Sequence, residues 1–502
     1  MALSISSTLN SSFSAPLNVE NGATCLSSSL GSYFDDSSRL VMLETFKVHC
    51  AGTQGGPRSS KSKRLEPATL KDIAWQTVQA TRMRICAKHR RRAARFLAVG
   101  KARLARRSLE LATRASPCPR SYLALAERYR DDGELRRYEG SLRSAIAAAA
   151  MATARKGLEA GLSALKLLAL HLCLEGRDKE AAKVLTTLDL SFRLSKGVLH
   201  YTVPPTESLL PKDCGAMVVD NALPPHLFEV LQEAFSPSAP FWQEHKYHDP
   251  NTGYFSYIQP LHKASAAPST RLIEAAVECV RAQAAAWLPD VERAETAEWW
   301  AHCRCHAAGH QLHFDSAFEG ETEGGAQNPI CSTVLYLSNP HVGGPTLVTN
   351  QGINDTTMAS SGYLVRPKLN RLTAFQGHLL HGVPPGRGTI PGAGTERRVT
   401  LMVAFWPKMQ GFPYVPEQPG PAQRLPFQGS PHAWPATLLA QVDGGNGKHS
   451  KSTNAVPEST PGVAAAVSPV WERVKQRSSK RGRDDSSDPI PIVPYEKCFQ
   501  GF

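Results

Sequence analysis

The spacing of apolar residues divides the chain into a helical part and a strand-rich part. From about residue 67 to 205, apolar positions recur three and four residues apart, as in "LALAERYRDDGELRRYEGSLRSAI". This period is typical of amphipathic helices. From about 212 to 409, short apolar runs alternate with Gly/Pro turns, which predicts strands, with one helix near "TRLIEAAVECVRAQAAAWL". The pattern predicts an α+β protein.

Three segments of the helical part resemble one another. Each places a glycine between two apolar helices, at Gly100, Gly133 and Gly176, with spacings of 33 and 43 residues. The first spacing is close to that of tetratricopeptide repeats, and the second requires an insertion. The segment 67–205 is therefore predicted to be a helical domain. Whether it is tetratricopeptide-like or an irregular helical domain stays open.

Both ends of the chain lack such a period. Residues 1–66 are rich in Ser, Gly and Asn, and residues 410–502 in Pro, Gly, Ser and charge. We expect both segments to be disordered tails. A targeting segment, such as a plastid transit peptide, is the alternative for the first, although Glu20, Asp35 and Asp36 disfavour it. The second contains a basic cluster, "KQRSSKRGRDD".

Composition limits the classes of protein to consider. The 502 residues carry a net charge of +13, and Arg82 to Arg107 contains eleven Lys/Arg and no acid. Eleven cysteines without a repeated C-x2-C pattern indicate a reducing compartment rather than a disulfide scaffold or zinc module. No uncharged apolar run approaches the roughly 18 residues of a membrane span. We expect a soluble intracellular protein of the cytoplasm or nucleus, with the plastid as the alternative.

Four motifs in the strand-rich part carry candidate chemistry. They are "HFD" with His313 and Asp315, "YLSNPHVGGPT", "HGV" with His381, and "RRVT" with Arg398. Residues two apart on a strand point to the same face, so His313 and Asp315 can both bind one metal ion. In this order the motifs resemble the 2-oxoglutarate and iron(II)-dependent oxygenases, prolyl-hydroxylase-like branch. The resemblance covers about residues 295–408 and implies a double-stranded β-helix (jelly-roll) domain within 212–409.

The resemblance also implies roles for individual residues. His313, Asp315 and His381 would bind iron(II), and Arg398 would bind the far carboxylate of 2-oxoglutarate. Thr400 and Tyr336 are further candidates for the 2-oxoglutarate pocket, and Tyr336 is equally plausible as a core residue. His378 is the alternative distal ligand, and Arg397 the alternative anchor. The other histidines upstream, His302, His306 and His310 among them, are expected to be surface or hydrogen-bonded residues.

The implied activity is hydroxylation of a protein side chain, with 2-oxoglutarate converted to succinate and CO2. Iron(II) and 2-oxoglutarate are the implied cofactors, and ascorbate is a further candidate. We expect the 212–409 unit to fold alone and the helices to recognise a protein or peptide substrate. The Arg82–Arg107 helices would suit an acidic partner. Two rivals remain: a nucleic-acid oxygenase, and a helical-repeat binding protein with weak or no turnover.

Overall fold

A computed structural model describes residues 70–152, 154–201, 206–247, 255–261, 271–316, 327–388, 396–407, 423–424, 432–441, 459–474 and 489–502. The N-terminal tail and the basic cluster at 475–485 lie outside these residues. The first described part is helical and comprises α1 Leu70–Ala98, α2 Ala102–Ala115, α3 Pro119–Asp131, α4 Leu135–Ala150, α5 Arg155–Leu174 and α6 Asp178–Thr187.

The three glycines singled out in the sequence end three of these helices in the same way. Gly100, Gly133 and Gly176 all have positive φ, near 70°. At each, the glycine N–H and the next N–H donate back to the helix, for example Gly133 to Arg130 O and Glu134 to Tyr129 O. This is the Schellman arrangement, which favours glycine because a Cβ is disfavoured there. The segments therefore share a turn geometry, while membership of a repeat family stays a prediction.

Among the helices that the structure describes, one is apolar enough, by length and composition, to cross a membrane. Helix α5 has this property, and half of its most apolar window is buried inside the fold. Its buried face includes Ala164, Leu168 and Leu172, which join the helical core. Core helices of folded domains have the same composition.

Further helices accompany the strands that follow. They are α7 Lys196–Leu199, α8 Pro225–Ala234, α9 Pro240–Glu244, α10 Leu272–Trp287 and α11 Trp434–Leu438. Helix α10 is the helix predicted near "TRLIEAAVECVRAQAAAWL". Its buried residues, including Ile273, Val277 and Val280, form one core with Val399 and Leu401.

The strands form two larger sheets and one small one. In chain order they are β1 Phe192–Leu194, β2 Ser208–Leu209, β3 Ala216–Asp220, β4 Tyr257–Pro260, β5 Thr296–Cys305, β6 His310–His313, β7 Cys331–Tyr336, β8 Thr346–Gly352, β9 Gly362–Val365, β10 Leu372–Gln376, β11 Leu379–Val383, β12 Arg397–Trp406, β13 Gln423–Arg424, β14 Thr460–Pro461, β15 Val463–Val467, β16 Trp471–Arg473 and β17 Cys498–Phe499. The large sheet has the order β13-β4-β5-β12-β7-β10-β3-β14, and the second has the order β2-β15-β9-β8-β11-β6.

The two sheets pack face to face. Their inner faces share a core that includes Val334 and Met402 from the large sheet, and Val348 and Val365 from the second sheet. The pairings are antiparallel except for β13 with β4 and, in the small sheet, β1 with β17. The protein is thus an α+β protein with N-terminal helices and antiparallel sheets, an arrangement compatible with the predicted jelly roll.

The helices and the second sheet are joined by one continuous core. Leu312, Leu347, Leu364 and Leu380 project from the outer face of the second sheet into the cluster that contains the helical residues. Side chains alternate along a strand, so these leucines point away from the inner face that carries the neighbouring histidines. The helices therefore cover an apolar surface of the 212–409 unit, and independent folding of that unit stays a prediction.

The predicted C-terminal tail also differs from the structure. Strand β15 extends the second sheet beside β9, β14 pairs with β3, and β16 and β17 flank β1. Residues 459–474 and 489–502 are therefore not a disordered tail, and the 67–205 segment contains a strand as well as helices. Strands of two to five residues are too short to produce a readable period, and they gain stability only by pairing.

Candidate metal and anion site

The pairing of β6 with β11 brings His313 and His381 together. The two residues face each other in register, and their rings lie 4.3 Å apart between centroids. Asp315 follows two residues after His313, with Oδ1 3.7 Å from Nε2 of each histidine. One ligand atom from each of the three residues lies within 4.8 Å of the other two. The predicted triad is therefore assembled across two strands.

Backbone carbonyls orient both imidazoles. Nδ1 of His313 lies 2.8 Å from Gln311 O, and Nδ1 of His381 lies 3.0 Å from Leu379 O. A carbonyl can only accept, so each Nδ1 carries the proton and each Nε2 presents a lone pair. Metal-binding histidines are usually held in this way. Both lone pairs are directed toward the aspartate.

Asp315 is held by its own partners. Ser332 on β7 donates its hydroxyl to Oδ2 at 2.6 Å, and Asn328 donates to the Asp315 backbone carbonyl at 2.7 Å. Ser332 occupies one carboxylate oxygen, which leaves Oδ1 to face the histidines. The carboxylate is thereby oriented before any ligand binds.

Burial keeps His313 in a metal-binding protonation state. Burial, followed by the nearby His381, lowers the pKa of His313 to about 4, and Asp315 only partly offsets this effect. His313 is therefore neutral at pH 7, as metal coordination requires. Two neutral imidazoles and one carboxylate are a suitable donor set for a divalent transition metal.

Arg398 is a buried cation in the same pocket. It lies on β12 with 4% of its surface exposed, and it lines the pocket with His313, Asp315 and His381. Nη2 donates to Thr346 Oγ1 at 3.1 Å, whereas Nε is buried without a hydrogen-bond partner in the part of the chain that the structure describes. Among the described residues no carboxylate pairs with it, and burial lowers its pKa. A buried cation in this state is suited to bind an anion.

The Gly-Gly turn makes room for the Arg398 side chain. A Cβ on Gly343 would lie 2.3 Å from Arg398 Cδ, and Gly343 has a φ of +83°. Both the conformation and the contact therefore require glycine here. The "GGPT" segment predicted as a turn also supplies Thr346, a pocket residue that sequence reasoning did not single out.

The other predicted cosubstrate residues lie behind the pocket wall. Tyr336 is fully buried and donates to Thr346 Oγ1 at 2.6 Å, with the Arg398 guanidinium 5.2 Å from its ring centroid. Thr400 pairs with Tyr336 in register, and its hydroxyl oxygen is buried without a partner among the described residues. Neither residue lines the pocket. Tyr336 therefore contacts the residues that face the pocket, Thr346 and Arg398.

The two alternative residues are not part of the group. His378 is exposed, and the metal-type cluster contains His381 instead. Arg397 is half-buried and donates Nη1 to Glu396 O at 3.0 Å; it is not among the pocket residues. The structure thus groups His381 and Arg398, the preferred member of each pair.

Strand β5 contributes residues that sequence reasoning did not assign to the site. Trp300, His302 and Arg304 line the pocket, and Arg304 lies directly opposite Arg398 in the strand register. Two cations facing each other across strands destabilise a sheet when no anion is present. His310 lies beside them, its ring centroid 4.4 Å from that of His313. Trp300, His302 and Arg304 are spaced two residues apart, which places them on one face of β5. This spacing was the sequence signal that could have identified them together.

His302 is a neutral imidazole at the wall of this pocket. The Tyr247 hydroxyl accepts from the Cys303 N–H at 3.2 Å and lies 3.0 Å from His302 Nδ1. Tyr247 and His302 Nδ1 therefore share a hydrogen bond. Burial, with Arg304 and Arg398 nearby, lowers the pKa of His302 well below its usual value. The ring is therefore neutral at pH 7.

No family model matches this chain, and no curated protein matches it. Solved structures with local similarity include a prolyl-4-hydroxylase from Pseudomonas putida, 18% identical, covering 40% of this chain and 88% of that one, with a TM-score of 0.24. AviO1 from Streptomyces viridochromogenes is 15% identical, covering 40% and 93%, with a TM-score of 0.25. HygX from Streptomyces hygroscopicus, solved with nickel and 2-oxoglutarate, is 13% identical, covering 38% and 82%, with a TM-score of 0.21. Similarities at this level assign neither fold nor function, so the inference depends on the site.

Proposed function

We propose that this protein is a 2-oxoglutarate and iron(II)-dependent dioxygenase. One observation carries the proposal: two imidazole Nε2 atoms and one carboxylate oxygen converge in a pocket that also holds a buried arginine. The triad offers a metal three ligands and leaves coordination positions for other molecules. The arginine offers the same pocket a carboxylate-binding group.

The triad fits iron(II) by its chemistry. His313, Asp315 and His381 would hold the ion, with Ser332 and the carbonyls of Gln311 and Leu379 fixing their orientation. When bound, iron(II) would supply activation of dioxygen for oxidation of a nearby substrate. The protein's task is then to arrange the reactants and exclude competing ones.

The pocket charge fits a dicarboxylate cosubstrate. Arg398 and Arg304 face a pocket in which Asp315 is the one acidic lining residue that the structure describes. Two carboxylates of 2-oxoglutarate would therefore reduce a net positive charge. Arg398 would bind the far carboxylate, with the Thr346 hydroxyl beside it. The Nε of Arg398, which is buried and has no hydrogen-bond partner among the residues that the structure describes, supports this assignment.

The remaining wall residues would hold and shield the reactants. Val334, Phe375 and Met402 supply an apolar side to the pocket, which limits water around the cosubstrate. His302 lines the same wall and would offer a hydrogen-bonding nitrogen to a substrate or cosubstrate. Burial keeps His302 neutral, so it adds no further charge to the pocket.

A protein or peptide side chain is the substrate class we propose, with succinate and CO2 as coproducts. In support, α1 presents an extended basic surface: residues 82–95 include seven Lys/Arg, none in an ion pair among the described residues. An acidic partner would bind there in a salt-dependent manner. The same surface is the observation that favours the alternative of a nucleic-acid substrate.

The test is 2-oxoglutarate turnover by the full chain. Purified protein loaded anaerobically with iron(II) should form succinate when oxygen is admitted, with ascorbate present or omitted as separate arms. Asp315→Ala should abolish succinate formation. A chain that binds iron(II) but neither binds nor consumes 2-oxoglutarate would instead be the helical binding protein.

Turnover can then be assigned to a substrate class. Acidic peptides, neutral peptides and single-stranded nucleic acid of equal concentration would be compared for stimulation of succinate formation. Stimulation by nucleic acid alone, lost at high salt, would replace the peptide proposal with the nucleic-acid one.

A further inference from the structure

Two cysteines far from the pocket lie next to each other in the helical part. Cys86 is on α1 and Cys118 immediately precedes α3. Cys86 Sγ lies 3.2 Å from the hydroxyl of Ser121 on α3, and Arg90 of α1 donates to Cys118 Sγ at 3.5 Å, so each thiol contacts the segment that carries the other. Cys86 is buried with 2% exposed, whereas Cys118 is half-buried. Cys118 is therefore accessible to a reagent in solution, whereas Cys86 is protected.

The surroundings of Cys118 favour its thiolate. Arg90 Nη1 donates to the Cys118 sulfur at 3.5 Å, and Cys118 occupies the N-cap position of α3. A hydrogen bond from Cys86 contributes most, and the Ser121 N–H and Arg90 add to it, so that the pKa of Cys118 is lowered. The helix N-terminus and a nearby arginine are the settings in which reactive cysteines occur.

The surroundings of Cys86 favour its thiol. Its sulfur lies 3.2 Å from the Ser121 hydroxyl, and the hydrogen bond to Cys118 together with burial raises its pKa. The pair thus consists of one accessible nucleophile and one protected thiol within its reach. This is the arrangement of an attacking and a resolving cysteine.

We propose that Cys86 and Cys118 form a redox-active dithiol that is oxidised to a disulfide by a low-molecular-weight disulfide such as oxidised glutathione. The Cys118 thiolate attacks one glutathione sulfur, the glutathione S–S bond breaks, and one glutathione thiolate leaves. The Cys86 sulfur then attacks Cys118 Sγ, passes its proton to the departing thiolate, and releases the second glutathione. Two electrons pass from the cysteines to one glutathione disulfide.

The disulfide would tie two helices together. Cys86 lies in the basic segment of α1, and Cys118 immediately precedes α3, so the bond would fix the position of that basic surface on the helical core. Oxidation is independent of the metal pocket, which lies in the strand-rich part. The proposal therefore stands whether or not the oxygenase proposal does.

The experiment uses the full chain, reduced and then exposed to oxidised glutathione. Digestion with trypsin without reductant should release the peptide Ile85–Lys88 joined by a disulfide to the peptide Ala115–Arg120. This disulfide should be the first to form. In Cys86→Ser, Cys118 should accumulate as the glutathione mixed disulfide, and Arg90→Gln should slow its formation several-fold. Cys173→Ser is the matched control: Cys173 is buried and accepts from Arg193 Nη1 at 3.4 Å, and its loss should leave the Cys86–Cys118 link intact.

A second measurement needs no variant. Brief treatment of the native reduced chain with iodoacetamide should label Cys118 before Cys86 and Cys173. The proposal is overturned if other cysteines form the first disulfide, if Cys118 is not labelled before those two, or if the link forms equally fast in urea-unfolded protein.

Discussion

Replacing Arg398 with methionine should weaken 2-oxoglutarate binding while stabilising the empty protein. Binding and stability should change in opposite directions because Arg398 is a buried cation that lacks a carboxylate partner among the described residues. Methionine has similar length and no charge, so it can fill the space beside Gly343 and Tyr336. A residue that only supports the fold would give destabilisation instead.

The binding loss can be estimated from the ion pair. Removing one partner of a buried, hydrogen-bonded charge pair costs roughly 2–5 kcal/mol. The dissociation constant for 2-oxoglutarate should therefore rise by about 30-fold or more. Iron(II) binding should change little, because the Arg398 side chain is hydrogen-bonded to Thr346 and to none of the triad residues.

The stability gain is the difference between two effects. The substitution removes a hydrogen bond to Thr346, about 1 kcal/mol, and a cation–π contact with Tyr336, up to about 2 kcal/mol. It also removes the desolvation cost of the charge, which is several kcal/mol. We expect a net gain on the order of 1 kcal/mol in the free energy of unfolding without ligand.

The assay combines calorimetric titration of the iron(II)-loaded protein with 2-oxoglutarate, without oxygen, and thermal melting of the ligand-free protein. Arg397→Met is the matched control, since Arg397 neighbours Arg398 on β12 but does not line the pocket. The reasoning is refuted if Arg398→Met binds 2-oxoglutarate normally, or if Arg397→Met shows the larger loss.

Four further predictions concern the same part of the molecule. His381→Ala should abolish stoichiometric iron(II) binding, whereas His378→Ala should retain it, as measured by anaerobic metal titration; the reverse result would move the distal ligand to His378. Ser332→Ala, which removes the hydrogen bond to Asp315 Oδ2, should weaken iron(II) binding by about 10- to 100-fold, and unchanged affinity would show that the carboxylate needs no such support. Gly343→Ala should impair 2-oxoglutarate binding more than iron(II) binding, since the added Cβ would clash with Arg398; equal losses would contradict this. Burial raises the pKa of Glu298 to about 7, from about 4.5 in the unfolded chain. Between these two pH values the folded state binds more protons than the unfolded state, so the free energy of unfolding should fall as the pH rises from about 4.5 to 7. Glu298→Gln should flatten this dependence by up to about 3 kcal/mol between pH 5 and 8 in denaturant titrations, and an unchanged pH profile would rule out Glu298 as its source.

The sequence by itself determined the local features of this protein. Helical spacing, turn glycines and the i,i+2 pair His313 and Asp315 are all properties of a few neighbouring residues. Gly100, Gly133 and Gly176 were recognisable because a left-handed helix end favours glycine whatever surrounds it. The choice of His381 over His378 came from a short motif, and the structure groups His381 with the other two residues.

The tertiary structure alone decided which residues share the pocket and which segments share the core. Arg304 meets Arg398 only because β5 pairs with β12, and Thr346 joins them only because the two sheets face each other. Strands β14 to β17 were not predictable, since strands this short are stabilised by partners hundreds of residues away in the chain. The continuous core of helices and second sheet was not predictable for the same reason. The alternation of side chains along a strand shows that Leu312 and Leu380 point away from the face that carries the neighbouring histidines. It does not show which residues cover these leucines.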